Sequence, residues 1–179
     1  HTNTEKTHDF FYDELFRFKE SLEKAFETPI SGQSLTKAVQ VYNENRTLLK
    51  KVYDLRREDP PLISGVEALE IVLSSMLTPK DEHTRLLSQL LREVSGRSNL
   101  PKSGVRLLVS GSVMDNAELL RTVEAVGGSV VADDLSTGSR YFWDLVDSDA
   151  EPLRVIARRY LDKVPCPFMY QSEDRFKHT

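Results

Sequence analysis

Residues 105–134 read VRLLVSGSVMDNAELLRTVEAVGGSVVADD, and this stretch decides the fold class. The apolar runs VRLLVS and SVVADD have the length and the valine and leucine content of buried strands. Between them, Asp115 is placed to cap a helix with Glu118 at the capping-box position, and Gly127 and Gly128 are placed to end it. A strand, a helix and a second strand in so short a stretch predict a right-handed parallel crossover.

Two strands are too few for a doubly wound sheet, because open α/β sheets usually have four or more strands and helices on both faces. We therefore expect residues 104–179 to form the first half of a Rossmann-like α/β lobe. The rest of the sheet would come from a longer subunit or from a partner. The segment PLRVIARRYLDKV, at 152–164, predicts a further amphipathic helix in this lobe.

The N-terminal half has a helical hydrophobic period. Apolar residues recur at steps of three and four within 4–26 and within 34–59, which predicts two amphipathic helices. Asn45 interrupts the apolar stripe of the second helix.

Two shorter helices are predicted after these. Ser64 and Glu67 form a capping-box pattern that predicts a third helix running to about Leu77. Thr78 and Pro79 are typical of the start of a fourth helix, which should end near Gly96. The predicted fold is therefore α/β: a four-helix N-terminal unit over residues 1–98, followed by a partial Rossmann-like parallel β-α-β lobe.

Residues 131–143, VADDLSTGSRYFW, end the second predicted strand with small hydroxyl residues, one arginine and three aromatic residues. Parallel sheets bind ligands at the carboxyl ends of their strands, so this stretch and the turn SGSVMDN at 110–116 are candidate ligand contacts. Arg140 could hold a phosphate or a carboxylate through paired hydrogen bonds. The candidate substrate-binding residues are Ser112, Ser136, Thr137, Ser139, Arg140, Tyr141 and Trp143.

A purely structural interpretation of the same stretch is equally open. Asp133 or Asp134 could pair with Arg140, and the aromatic residues could pack at a domain seam. The turn around Ser112 lacks the glycine spacing of a dinucleotide site, and Asp115 would repel an anion, which favours ordinary turn chemistry. The sequence identifies no catalytic residue.

Composition narrows the class of protein. Hydrophobic residues make up 39% of the chain and charged residues 29%, which is ordinary for a globular protein. The net charge of −4 is spread evenly, so no segment indicates nucleic-acid binding. No apolar run approaches the roughly 20 residues of a membrane span, and no secretory leader pattern is present, so we expect a cytoplasmic protein.

Metal-binding patterns are absent from the sequence. A single cysteine, Cys166, excludes an internal disulfide and any multi-cysteine metal site built by this chain alone. A cysteine between two prolines could be a nucleophile or a cluster ligand, although a buried structural thiol is the commoner case. The charged runs LKKVYDLRRED and ARRYLDK predict solvated helix faces. Four histidines without ligand spacing are expected at the surface: His1, His8, His83 and His178.

Four segments together resemble the family of 2-hydroxyacyl-CoA dehydratase D-components and benzoyl-CoA reductase subunits. They are VYNENRTLLKKVYDLRREDPPLISGVEALE (41–70), VRLLVSG (105–111), GGSVVADDLSTGSRYFWDLVD (127–147) and ARRYLDKVPCPFMY (157–170). Their order and spacing cover most of the chain, and ADDL-x-TGSRYFW is the most specific element. One departure is Ser136, which stands where a cysteine is common in the family.

The resemblance implies a function that the residue pattern alone does not give. Family members eliminate water from an (R)-2-hydroxyacyl-CoA thioester to give the enoyl-CoA, through a ketyl radical formed after an ATP-dependent activator protein delivers one electron. The resemblance further implies an oxygen-sensitive heterodimer with a paralogous second subunit. A [4Fe-4S] cluster is implied in the complete subunit, with cysteine ligands outside this chain. No cofactor is expected in this segment, which alone should be inactive.

The resemblance leaves two alternatives open. The chain could come from a benzoyl-CoA reductase subunit, in which the same electron delivery dearomatises an aryl-CoA ring. It could also be a noncatalytic acyl-CoA-binding or assembly module that lacks the cluster.

Overall fold

The N-terminal half folds into four helices, as the hydrophobic period predicts. The computed structural model describes residues 4–97 and 104–163. The helices of the first range are α1 (Glu5–Phe26), α2 (Gly32–Asp54), α3 (Gly65–Leu77) and α4 (Lys80–Val94). Within the described ranges, no helix is both long enough and apolar enough to cross a bilayer.

The start of α3 follows directly from its sequence. The Ser64 hydroxyl accepts a hydrogen bond from the Glu67 backbone N–H at 3.1 Å, and the Glu67 carboxylate accepts one from the Ser64 N–H at 2.9 Å. The predicted capping box is therefore confirmed. The predicted cap of α4 is wrong: Thr78 ends α3, and Pro79 precedes α4 with no side-chain hydrogen bond to the helix.

The second range contains the predicted parallel crossover. It consists of β1 (Val105–Ser110), α5 (Glu118–Ala125) and β2 (Gly128–Asp134), with β1 and β2 parallel neighbours. The register shifts between Leu107 and Leu108, which leaves one residue of β2 bulged. The α/β fold class is confirmed.

The sequence predicted where α5 ends but not which residue caps its start. Asp115 does not cap the helix, because the Asn116 side chain accepts the Glu118 backbone N–H at 3.2 Å and the helix begins only at Glu118. Gly127, with a φ of +92°, ends the helix in a conformation that suits glycine, as predicted.

Two further helices complete the described part of the chain. They are α6 (Ser139–Phe142), which the sequence did not predict, and α7 (Pro152–Asp162), which it did. The Glu151 carboxylate caps α7 by accepting the backbone N–H groups of Leu153 and Arg154. Cys166 and its flanking prolines lie outside the described residues, so the prediction for that thiol stays a prediction.

Helix α3 connects the helices to the sheet. One side of α3 lies in the largest apolar cluster, whose buried members come from α2, α3, α4, the connection between α2 and α3, and α6: Leu49, Val52, Ile63, Ala68, Val72, Leu87, Val94 and Phe142. The other side packs Val66 and Leu69 against Leu120 of α5 and Val130 of β2. The division at residue 98 remains a prediction, and the two parts share a core through α3.

Three charged or titratable side chains that were expected at the surface are buried. Arg56 is 1% exposed, His83 3% and Arg159 6%. The expectation failed because each finds polar partners from distant parts of the chain. His83 bonds the Asn45 amide at 2.9 Å and the Ser74 hydroxyl at 3.1 Å, which also explains why an asparagine interrupts the apolar stripe of α2.

Candidate functional site

Hydrogen bonds join the loops that follow β1 and β2. The Ser136 N–H donates to the Ser112 carbonyl at 2.7 Å. The Thr137 hydroxyl donates to the Met114 carbonyl at 2.8 Å and accepts the Met114 N–H at 2.9 Å. The structure therefore brings Ser112, Ser136 and Thr137 together at the carboxyl end of the sheet, where they hold the two loops to each other.

The turn from β2 into α6 is built around Asp133. The Ser139 backbone N–H donates to Asp133 Oδ1 at 2.8 Å, and the Ser139 hydroxyl donates to the Asp133 carbonyl at 2.7 Å. A Cβ atom on Gly138 would lie 2.1 Å from Asp133 Oδ1, so only glycine fits there. This turn starts α6 and fixes where the following arginine and aromatic residues lie.

Arg140 is buried, with 5% of the residue exposed. Its Nε lies 2.7 Å from Asp134 Oδ1, and its Nη2 donates to the carbonyls of Gly111 and Asp134. The ion pair between Asp134 and Arg140, one of the two interpretations of the sequence, is therefore present. Nη1 of Arg140 is buried and has no hydrogen-bond partner within the described part of the chain. A substrate contact by Arg140 stays a prediction.

A second buried ion pair lies beside the first. Arg56 Nη1 donates to Asp133 Oδ2 at 2.7 Å, and its Nη2 donates to the Val130 carbonyl at 3.1 Å. The guanidinium also lies 4.5 Å from the centroid of the Tyr53 ring. Burial, and then the neighbouring Asp133 carboxylate, raise the pKa of Tyr53 well above its ordinary value. Sequence reasoning missed Arg56 because no local pattern connects residues 77 positions apart.

A groove of about 530 Å³ opens between the C-terminal part of α2, one face of the sheet and α6. Ser139, Arg140 and Trp143 contribute to its wall, whereas Tyr141 lies elsewhere, with its ring centroid 5.3 Å from the Lys80 ammonium. The remaining lining residues are Lys50, Tyr53, Asp54, Arg57, Arg106, Leu108, Val131, Ala132, Asp133, Asp134, Asp144 and Lys163. Only three of the seven candidate residues therefore face the groove.

The groove is more cationic than the chain as a whole. Its lining has five lysine and arginine residues against four aspartates, a formal charge of +1 on a chain whose net charge is −4. Burial lowers the pKa of Lys163, and the nearby Arg159 guanidinium lowers it further, while Asp144 acts in the opposite direction. This concentration of positive charge favours an anionic ligand.

The residues of this chain do not fit an iron-sulfur cluster. Such a cluster needs several cysteine thiolates, and the whole sequence contains one cysteine. Residues 4–97 and 104–163 also contain no group of three or more histidine, cysteine, aspartate or glutamate side chains arranged to hold a metal ion.

Comparison with known proteins finds a matching family model and several similar proteins. The sequence model of the 2-hydroxyglutaryl-CoA dehydratase D-component family matches residues 1–179. The chain is 27% identical to the (R)-phenyllactyl-CoA dehydratase beta subunit of Clostridium sporogenes, over 87% of this chain and 41% of that protein. It is 26% identical to the beta subunit of lactoyl-CoA dehydratase from Anaerotignum propionicum, over 90% and 44%.

A third relative is named as a subunit of a different enzyme. It is a benzoyl-CoA reductase subunit of Thauera aromatica, 24% identical over 86% of this chain and 40% of that protein. The chain thus spans about two fifths of the length of the curated relatives it matches.

Proposed function

Because the chain belongs to the 2-hydroxyglutaryl-CoA dehydratase D-component family, we propose that it is a segment of a 2-hydroxyacyl-CoA dehydratase subunit. The complete enzyme would be a lyase that removes water from an (R)-2-hydroxyacyl-CoA thioester and releases the enoyl-CoA. The family match over all 179 residues carries this proposal, and the dehydratase beta subunits among the relatives support it.

The segment's own contribution would be to bind and orient the thioester. One cysteine cannot hold a cluster, so a [4Fe-4S] centre in the complete subunit would take its ligands from other parts of the polypeptide. In this proposal Arg140 positions the wall of the groove, since it ties the carbonyl after β1 to the end of β2. Ser139 and Trp143, which line the groove, are the residues proposed to approach the substrate.

The complete assembly would include a paralogous second subunit and an ATP-dependent activator that delivers an electron. Relatives named as beta subunits support the second subunit. We also propose a cytoplasmic location, where acyl-CoA thioesters and ATP are both available.

The test uses the full-length subunit, purified without oxygen together with its second subunit and activator. An (R)-2-hydroxyacyl-CoA is added with ATP and a low-potential chemical reductant that supplies electrons to the activator, and mass spectrometry follows loss of water from the thioester. We expect the enoyl-CoA only when subunit, activator and ATP are all present. Absence of the enoyl-CoA across a series of acyl chains, from a preparation with bound iron and sulfide, would contradict the proposal.

The similarity to a benzoyl-CoA reductase subunit supports a second candidate, a dearomatising aryl-CoA reductase. The same preparation distinguishes the two when benzoyl-CoA replaces the hydroxyacyl thioester, because reduction of the ring abolishes its aromatic ultraviolet absorption. Binding of acyl-CoA without either reaction would instead identify a noncatalytic binding or assembly module.

A further inference from the structure

We propose that the groove between α2, the sheet and α6 binds the nucleotide end of coenzyme A, with its adenine ring on the apolar floor and its phosphates at the cationic rim. This inference rests on the proposed function, because it takes the thioester of that reaction as its ligand. It goes further by assigning the nucleotide to residues that the sequence did not single out: Lys50, Arg57, Leu108 and Lys163.

The two faces of the sheet differ in a way that favours a polar ligand. The face toward α3 and α5 is apolar, with Val109 and Val130 packed against Leu120. The face toward the groove presents Arg106 and Asp133 beside Leu108. A parallel sheet face that is covered by a helix is normally apolar, so this polar face is better suited to a polar ligand than to a packed helix.

Two of the groove's four acids are neutralised by buried arginines, and the contact of a third, between Asp54 and Arg57 at 3.5 Å, is exposed and therefore weak enough for a phosphate to replace. Asp133 is paired with Arg56 and Asp134 with Arg140, each at 2.7 Å. At the rim, Lys50 lies 5.4 Å from the centroid of the Trp143 ring, and the Arg57 side chain is 75% exposed. Phosphate oxygens bind well to ammonium and guanidinium groups in this kind of partly exposed position.

Apolar surface in the groove suits the adenine ring. Leu108 is 56% exposed although it lies within a strand, and Trp143 is 38% exposed. Indole rings are good stacking surfaces for bases, since every base has a π face. The volume of about 530 Å³ is in the range of pockets for small organic ligands. The groove also lies at the carboxyl end of β2, where open α/β sheets bind ligands.

The experiment measures binding of adenosine 3′,5′-bisphosphate to the complete full-length subunit by titration calorimetry, with adenosine as the uncharged comparison. The double variant Lys50→Gln, Arg57→Gln removes two rim charges. Lys51→Gln is the matched control, because Lys51 is exposed on the same helix as Lys50 and does not line the groove. Unfolding midpoints of all variants verify that the fold is retained.

We expect the double variant to weaken bisphosphate binding about tenfold or more, since each charge-assisted hydrogen bond contributes more than a neutral one. Lys51→Gln should leave the dissociation constant unchanged. Bisphosphate should also change tryptophan fluorescence in the parent protein, and Trp143→Phe should remove that change. Equal affinity in the parent and the double variant, or no binding in a folded parent, would overturn the inference.

Failure of this inference is distinguishable from failure of the proposed function. If the parent binds bisphosphate and the double variant does not, nucleotide binding in the groove is supported even if no dehydration is observed. If dehydration occurs with the same KM for the thioester in the double variant and the parent, the proposed reaction is supported. The nucleotide would then not bind in this groove.

Discussion

The buried pair of Arg56 and Asp133 connects the end of α2 to the turn that starts α6. Asp133 binds the Arg56 guanidinium and also the Ser139 N–H that starts α6. Two charges that leave water lose hydration, and their mutual contact offsets this loss only while both are present. Replacing one of the two residues should therefore lower the free energy of unfolding by more than the intact pair contributes to it.

Arg56→Met tests this directly. Methionine keeps much of the side-chain volume but leaves the Asp133 carboxylate without its cation, so we expect the free energy of unfolding to fall by about 3–5 kcal/mol. The measurement is denaturant unfolding, with Arg17→Gln as the control. Arg17 pairs with Glu14 on an exposed helix surface, and its loss should change stability by less than about 1 kcal/mol. Similar effects from the two changes would contradict this account.

The buried His83 predicts a pH dependence of stability. Burial lowers the pKa of His83 from its ordinary value of 6.5, and the nearby Lys80 ammonium lowers it further. Below pH 6.5 the unfolded chain therefore binds a proton that the folded chain does not. The free energy of unfolding should fall as the pH drops from 6.5 toward the folded-state pKa, and this loss should be absent above 6.5.

His83→Gln removes the titrating group and keeps a polar side chain beside Asn45 and Ser74. We expect the variant to be less stable at neutral pH but to show a shallower decline between about pH 7 and pH 5. Urea unfolding at several pH values compares the two slopes. Parallel curves for the variant and the parent would show that His83 does not cause the decline.

Between elements, the first turn of α3 packs tightly against β2 at Gly65. A Cβ atom on Gly65 would lie 2.6 Å from the Val130 Cβ. Gly65→Ala should therefore push α3 away from the sheet and destabilise the protein by about 1–3 kcal/mol. Gly32→Ala is a matched control, because Gly32 also begins a helix after a serine cap and has no atom within 4 Å of the added Cβ.

At Gly32 the same change should be neutral or should stabilise by up to about 1 kcal/mol, since alanine restricts the unfolded chain. Thermal or denaturant unfolding measures both variants. A loss at Gly32 as large as the loss at Gly65 would mean that crowding against Val130 is not the cause.

The sequence predicted the elements that local rules specify. The capping box at Ser64 and the parallel crossover depend on residues close in sequence, and both are confirmed. The short helix α6 depends on Asp133 holding Ser139, and the groove depends on α2 meeting the sheet, so neither has a local signature. Seven candidate residues were proposed from two strand ends, yet the lysine and arginine residues near the end of α2 that line the groove were missed.

Within the described residues, the outer edge of β1 has no strand partner. Within residues 4–97 and 104–163, β1 pairs with β2 alone, and its residues are mostly exposed. Val105 is 71% exposed. Exposed apolar edges of this kind pair with other chains unless something covers them. This chain matches about two fifths of the length of its relatives. The additional polypeptide of those longer proteins could cover the β1 edge.

A polypeptide of these 179 residues produced alone should therefore self-associate through β1. Sedimentation should give an average mass that rises above 20.4 kDa as the concentration increases. Val105→Lys should shift the equilibrium toward monomer, because a lysine on a strand edge opposes pairing. Val113→Lys is the control: Val113 is 67% exposed in the loop after β1, outside the strand, so its replacement should have little effect. A monomer at all concentrations, or equal effects of the two lysines, would show that the β1 edge does not drive association.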